Sequence, residues 1–90
     1  MMMSYRVPDS DVAWRRIDEE VLVLHLRTGY YFSLNDTGAI IWEGLAAGDE
    51  PRITIDRIIQ EFSSVDRVQV ERDWQLLVDE LCEQELLLTC

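Results

Sequence analysis

Lysine is absent from the 90 residues, so all eight basic side chains are arginines, and they face eighteen acids for a formal net charge of −10. A field of that sign repels phosphate backbones and anionic headgroups, which sets nucleic acid and membrane surfaces aside as partners. Histidine occurs once, at His25, and cysteine twice, at Cys82 and Cys90. A metal site needs three or four convergent ligands, and the cysteine pair lacks C-x-x-C spacing, so no metal is assigned and His25 is read as a bystander in a strand. Both thiols are read as reduced, because a disulfide to the final residue would have no fixed geometry. None of the five serines sits in a G-x-S-x-G elbow, and the four glycines match neither G-x-G-x-x-G nor the phosphate loop. Nucleophilic catalysis and nucleotide binding thus have no visible machinery, and no cofactor is assigned. No apolar run approaches the roughly 20 residues of a membrane span, since Arg27, Asp36, Glu43 and Asp49 interrupt the most hydrophobic half. The opening MMMSYRVPDSD lacks the basic and apolar regions of a secretory signal, which points to a cytoplasmic protein.

What is present is enough apolar residue, 48%, to build a core despite the charge. A chain this short supports one domain, expected over 12–88 behind a lead-in at 1–11. Residues 13–18 (AWRRID) and the apolar run Val21–Leu26 flank a polar turn and predict a hairpin. Tyr30–Leu34 (YYFSL) adds a third strand, giving a three-stranded antiparallel meander. Asn35 and Asp36 are good N-caps for a first helix that carries Ile41, Trp42 and Leu45 and stops at Gly48. Thr54 is expected to cap a second helix with Ile55, Ile58, Ile59 and Phe62 along one stripe. Asp66 with Gln69 resembles a capping box that opens a third helix running to about Gln84. The closing LLLTC fits either a short extended segment or a frayed helix end.

Two features bear on binding. The stretch Thr28–Asn35 (TGYYFSLN) has no Lys, Glu, Pro or Asp to guard it, although sequence order puts its strand at a sheet edge. Such an edge is a template for strand addition by a peptide unless the protein's own helix, its tail or a dimer mate covers it. On the third helix, Asp73, Asp79, Glu80, Glu83 and Glu85 mostly decorate the polar side as a solvated acidic face, while Trp74, Leu77 and Leu81 form an apolar stripe. Trp14, Trp42 and Trp74 are spread over three elements rather than interleaved with arginines, so they read as core and interface anchors, not a base-stacking platform.

The order of elements, together with VLVLHLRTGYYFSLN at 21–35, TGAIIWEGL after it, TIDRII in the second helix and D-W-x-x-L-V-x-E-L over Asp73–Leu81, resembles the PqqD family. The Leu34–Asn35 pair is the most telling piece, and the match runs over most of the chain. The resemblance implies an α+β, winged helix-turn-helix-like fold, with three antiparallel strands followed by three helices. It also implies a non-catalytic recognition domain for ribosomally made, post-translationally modified peptides. In that family a precursor's leader segment adds as an extra strand beside the third helix and is presented to a modifying enzyme such as a radical SAM protein. The positions that match are Tyr30, Tyr31, Phe32, Ser33 and Leu34 on the strand, and Val70, Trp74, Leu77, Val78 and Leu81 on the helix, with Trp74 and Val78 expected nearest the leader. Tyr31 and Ser33 alternate away from Phe32 and Leu34, and which pair faces the core stays open at this level. The sequence departs from the pattern at Arg27, where an acid is common, and at Arg57, where a capping Glu is expected.

Two other readings compete. A DNA-binding winged helix would use the third helix for recognition, but Asp66–Glu85 holds seven acids against two arginines, which drives it out of a major groove. An acidic scaffold subunit would bury the exposed strand against an enzyme or in a homodimer.

Overall fold

The computed structural model describes residues 5–89. Its centre is an antiparallel sheet of β2 (Val12–Ile17), β3 (Glu20–His25) and β4 (Tyr31–Leu34), in the order β2-β3-β4. The polar turn expected between the first two strands is the pair Asp18–Glu19, with Asp18 at φ 56°, a backbone region that Asp tolerates better than most residues. Alternation then sorts the side chains. Val21, Val23 and His25 of β3 are buried, whereas Leu22 and Leu24 lie on the other face. The register Val21↔Leu34 and Val23↔Phe32 puts Phe32 and Leu34 on the core face, partly buried against the hydrophobic cluster, and it turns Tyr31 and Ser33 outward. That decides the face which the sequence pattern left open.

Three helices follow, α1 (Asp36–Ala47), α2 (Pro51–Glu61) and α3 (Arg67–Glu83); α1 lies directly on β3 and β4, α2 packs against α1 and α3, and all three share the hydrophobic core. Asn35 caps α1 as expected, its Oδ1 accepting the Gly38 N–H at 3.0 Å, and Gly48 ends it in the left-handed region at φ 79°. This helix is buried on several sides, through Ala39, Ile40, Ile41, Trp42 and Leu45. Trp14 from β2 stands edge-on to Trp42, with ring centroids 6.2 Å apart.

Two caps differ from expectation. Helix α2 begins at Pro51, a turn before Thr54, because proline's fixed φ suits the first helical position and its missing N–H is no loss there. Thr54 instead lies inside the helix, buried at the crossing with α1, where a Cβ on Gly44 would stand 2.1 Å from Thr54 Oγ1. Asp66 occupies the N-cap position of α3 but its side chain makes no capping bond. The expected partner Gln69 donates instead to Asp73 Oδ1 at 2.9 Å, so the capping box does not form.

The lead-in expected over 1–11 contains structure. Strand β1 (Tyr5–Arg6) pairs antiparallel with β5 (Leu88–Thr89), Val7 enters the core, and the Pro8 carbonyl accepts the N–H groups of Asp11 and Val12 at 2.9 and 3.0 Å. The closing LLLTC is thus extended over Leu88–Thr89, with Leu86 and Leu87 buried in the bend just before β5. The state read for the Cys90 thiol lies outside the described residues.

Candidate functional site

The outer edge of β4 is the feature that the fold leaves unfinished. The His25 N–H donates to the Tyr30 carbonyl at 2.9 Å, which makes 25/30 a hydrogen-bonded pair of the β3–β4 ladder. Such pairs alternate along an antiparallel ladder, so 23/32 and 21/34 are bonded as well. The backbone groups of Tyr31 and Ser33 therefore point the other way, toward the open side of an end strand. On the far side of β3 the Leu26 N–H donates to the Asp11 carbonyl at 2.7 Å, which assigns even-numbered β3 residues to β2 and odd ones to β4. The two ladders agree on the phase.

Beside this edge runs a trough in two connected parts. A cavity of about 410 Å³ is lined by Ser33, Leu34, Asn35, Thr37, Gly38, Ile41, Asp73 and Leu77, bringing the end of β4 and the start of α1 together with the middle of α3. A second, of about 430 Å³, is lined by Thr37, Ile41, Ile58, Ser64, Val65, Asp66, Gln69, Val70 and Asp73. Thr37, Ile41 and Asp73 border both. The second part has an apolar floor, since Ile41, Ile58 and Val70 are buried, whereas the first shares only Ile41 of these; among the described residues the ionisable side chains on the walls are Asp66 and Asp73.

The residues singled out in the sequence separate into three groups. Tyr30 and Tyr31 are 69% and 70% exposed, and Tyr30 precedes β4, with its N–H donated to Thr28 Oγ1 at 3.2 Å. Ser33, Leu34, Leu77 and Val70 border the trough, while Phe32 packs partly into the core. Trp74, Val78 and Leu81 belong to the core, Val78 with no exposed surface, so they lie beneath the trough and set the position of α3. Wall residues that sequence reasoning passed over are Asn35, Thr37, Gly38, Ile41, Gln69 and Asp73. Asp73 stands inside the D-W-x-x-L run but reads as one more solvated acid until the trough shows which way its face lies.

Elsewhere, His25 is buried, with Nδ1 accepting the Arg27 N–H at 3.3 Å, and it stands apart from both cavities. Burial, with a smaller contribution from Asp79, pushes the Cys82 thiol up from its ordinary value. Among the described residues no three His, Cys, Asp or Glu side chains converge as a metal site, and no helix is long and apolar enough to cross a membrane.

An antiparallel sheet with an open end strand, backed by three helices with a trough along the third, defines an α+β domain of winged-helix-like type with an unpaired strand edge. Residues 20–87 match the family model described as coenzyme PQQ synthesis protein D, and the chain belongs to the PqqD family. Its fold is similar to that of TbiB1 in complex with the TbiA(beta) leader peptide, at 43% identity and a TM-score of 0.81, over 91% of this chain and 93% of that one. It is also similar to a lasso peptide synthetase B1 complexed with the leader peptide, at 30% identity and a TM-score of 0.83, over 94% of this chain and 98% of the other. No curated protein sequence matches it.

Proposed function

We propose that this protein is a peptide-binding module that takes the leader segment of a ribosomally made precursor as an added strand on β4 and presents it to a modifying enzyme, of radical SAM or another type. The observation that carries the reading is the unpaired backbone of Tyr31 and Ser33 opening beside a trough between β4 and α3 that Leu34, Ile41 and Leu77 help to line. The two similar solved structures, each a complex with a leader peptide, support it. A leader strand would exchange hydrogen bonds with the Tyr31 and Ser33 backbones, each contributing on the order of 1 kcal/mol net. Main-chain bonds of that size hold many sequences equally, so specificity and most of the affinity come from side chains entering the trough beside Leu34 and Leu77. In this reading Tyr30–Leu34 form the pairing segment and Val70 and Leu77 meet the leader. Trp74, Val78 and Leu81 hold the helix at the right distance beneath. The module binds and presents in the cytoplasm, and the chemistry is done by its partner enzyme.

The test is a titration of isotope-labelled protein with the TbiA(beta) leader peptide or the leader of the chain's own precursor, read by amide chemical shifts. The expected result is movement concentrated in Tyr31–Leu34 and in α3 from Val70 to Leu81. Shifts confined to the opposite sheet edge, β2, or none at high micromolar concentrations of both peptides, would remove the proposal.

A further inference from the structure

The second cavity lies beyond the end of β4, where a paired strand would run out of backbone partners, yet it is continuous with the first through Thr37, Ile41 and Asp73. Its chemistry is mixed in a specific way, with an apolar floor of Ile41, Ile58 and Val70 and carboxylates at the rim. Among the described residues neither rim carboxylate has a cationic partner. Six ion pairs join the described residues, and neither Asp66 nor Asp73 takes part in one. Arg67, next in sequence to Asp66, is drawn to Asp56 and Glu71. Asp66 makes no capping bond, and the bond to Asp73 comes from the neutral amide of Gln69. The positive end of α3 offsets part of the charge on Asp66, but that influence fades within the first turn and leaves Asp73 uncompensated.

Resting on the leader-binding reading above, we propose that this part of the trough is a subsite for one basic side chain of the leader, an arginine or lysine placed just past the strand-forming segment. A basic side chain fits both halves of the site: its methylene stem covers Ile41 and Val70 while its charged head meets Asp73, with Asp66, two helical turns away on the same rim, adding to the negative field. A wholly apolar side chain would gain nothing from the two carboxylates, and an acidic one would be repelled, within a molecule whose net charge is already −10. The subsite thus sets register, fixing which residue of an otherwise sequence-tolerant strand lies opposite Ser33.

A selection from displayed random 16-residue peptides tests this with no need to know the natural leader. It is run against the unaltered protein, against the double variant Asp66→Asn with Asp73→Asn, and against Ser33→Pro, which blocks the edge. Both aspartates are exposed and asparagine keeps the carbonyl that accepts from Gln69, so the double variant folds, as helical circular dichroism will verify. Peptides selected by the unaltered protein are expected to combine a β-forming segment with Arg or Lys at one fixed spacing from it. Those selected by the double variant keep the segment and lose the basic position. Exchanging that basic residue for Glu in a selected peptide should weaken binding to the unaltered protein about tenfold, and Asp73→Lys should reverse the preference. A strand segment recovered without a basic position, or a basic position that survives in the double variant, would overturn the subsite and leave the leader reading standing. Selected peptides without a strand segment, or with binding insensitive to Ser33→Pro, would overturn the leader reading and the subsite with it.

Discussion

At Gly44 helices α1 and α2 approach closely, and the absence of a side chain there is what lets Thr54 be buried between them. A methyl group at that position would stand 2.1 Å from Thr54 Oγ1 and 3.3 Å from its Cβ, on a β-branched side chain with few rotamers to retreat into. Gly44→Ala is therefore expected to destabilise the fold by about 1–3 kcal/mol, although alanine is the better helix former, because overpacking outweighs propensity. Urea unfolding followed by tryptophan fluorescence would show it, and an unchanged midpoint would contradict the crossing. Cys82 carries a chemical prediction at the same scale. Its thiol is raised by burial first and by Asp79 second, so the folded chain keeps it protonated above the ordinary cysteine range. Its contribution to stability is complete below the unfolded value and is lost as pH rises through the folded one. At mildly alkaline pH, alkylation of Cys82 should be slower in the folded protein than in urea, as peptide-resolved mass spectrometry can measure. Single-residue structure was legible where its cause is local. Asn35 and Gly48 act as caps because their side chain or its absence suits the backbone there. Thr54 and Asp66 have equally good cap chemistry, but Pro51 starts α2 earlier and Gln69 turns to Asp73, and neither competition shows in propensity alone.

Among the elements, β4 is the one on which the proposed function rests, because its two edges have opposite fates. Phe32 and Leu34 spend their backbone groups on β3, and Tyr31 and Ser33 present theirs outward. Ser33→Pro separates these roles, since proline is tolerated on an edge strand where the lost N–H faces solvent. The variant should melt within a few degrees of the unaltered protein yet bind a leader peptide at least about tenfold more weakly, through one missing donor and a ring in the path of the incoming strand. Phe32→Pro, which removes a donor to β3, should unfold the sheet edge instead, and equal behaviour of the two variants in thermal melts would refute the assigned phase. The strand itself was legible from YYFSL, but its orientation was not. Period-two alternation defines two faces without naming either, and only the pairing of Val21 with Leu34 breaks the tie. The same holds for α3, whose apolar stripe was plain in the sequence. Trp74 and Val78 could not be told from groove residues because a helix stripe turned to a core and one turned to a ligand have the same spacing.

At the scale of the whole molecule, the chain ends form a clasp that ties the site to the rest of the fold. Two-residue strands have no periodicity to read, so the pairing of Tyr5–Arg6 with Leu88–Thr89 is visible only in three dimensions, although it joins segments at opposite ends of the sequence. Its link to function is Tyr5, which stands edge-on to Trp74 with centroids 5.9 Å apart and planes at 71°. Trp74 is flanked in α3 by Asp73 and followed a turn later by Leu77, both on the wall of the trough. The clasp therefore presses on the helix that forms one side of the groove without touching the groove itself. A domain of this length has roughly 5–13 kcal/mol of stability in total, so loss of one aromatic edge contact is a measurable share. Tyr5→Ala is expected to lower stability by about 1–2 kcal/mol, with a melting temperature lower by several degrees. It should also weaken leader binding, because part of the binding energy is then spent on holding α3 in place. Tyr5→Phe keeps the ring and should restore both. A Tyr5→Ala protein that melts like the unaltered one would show the clasp to be incidental, and one that melts lower but binds equally well would show that the groove keeps its width without it.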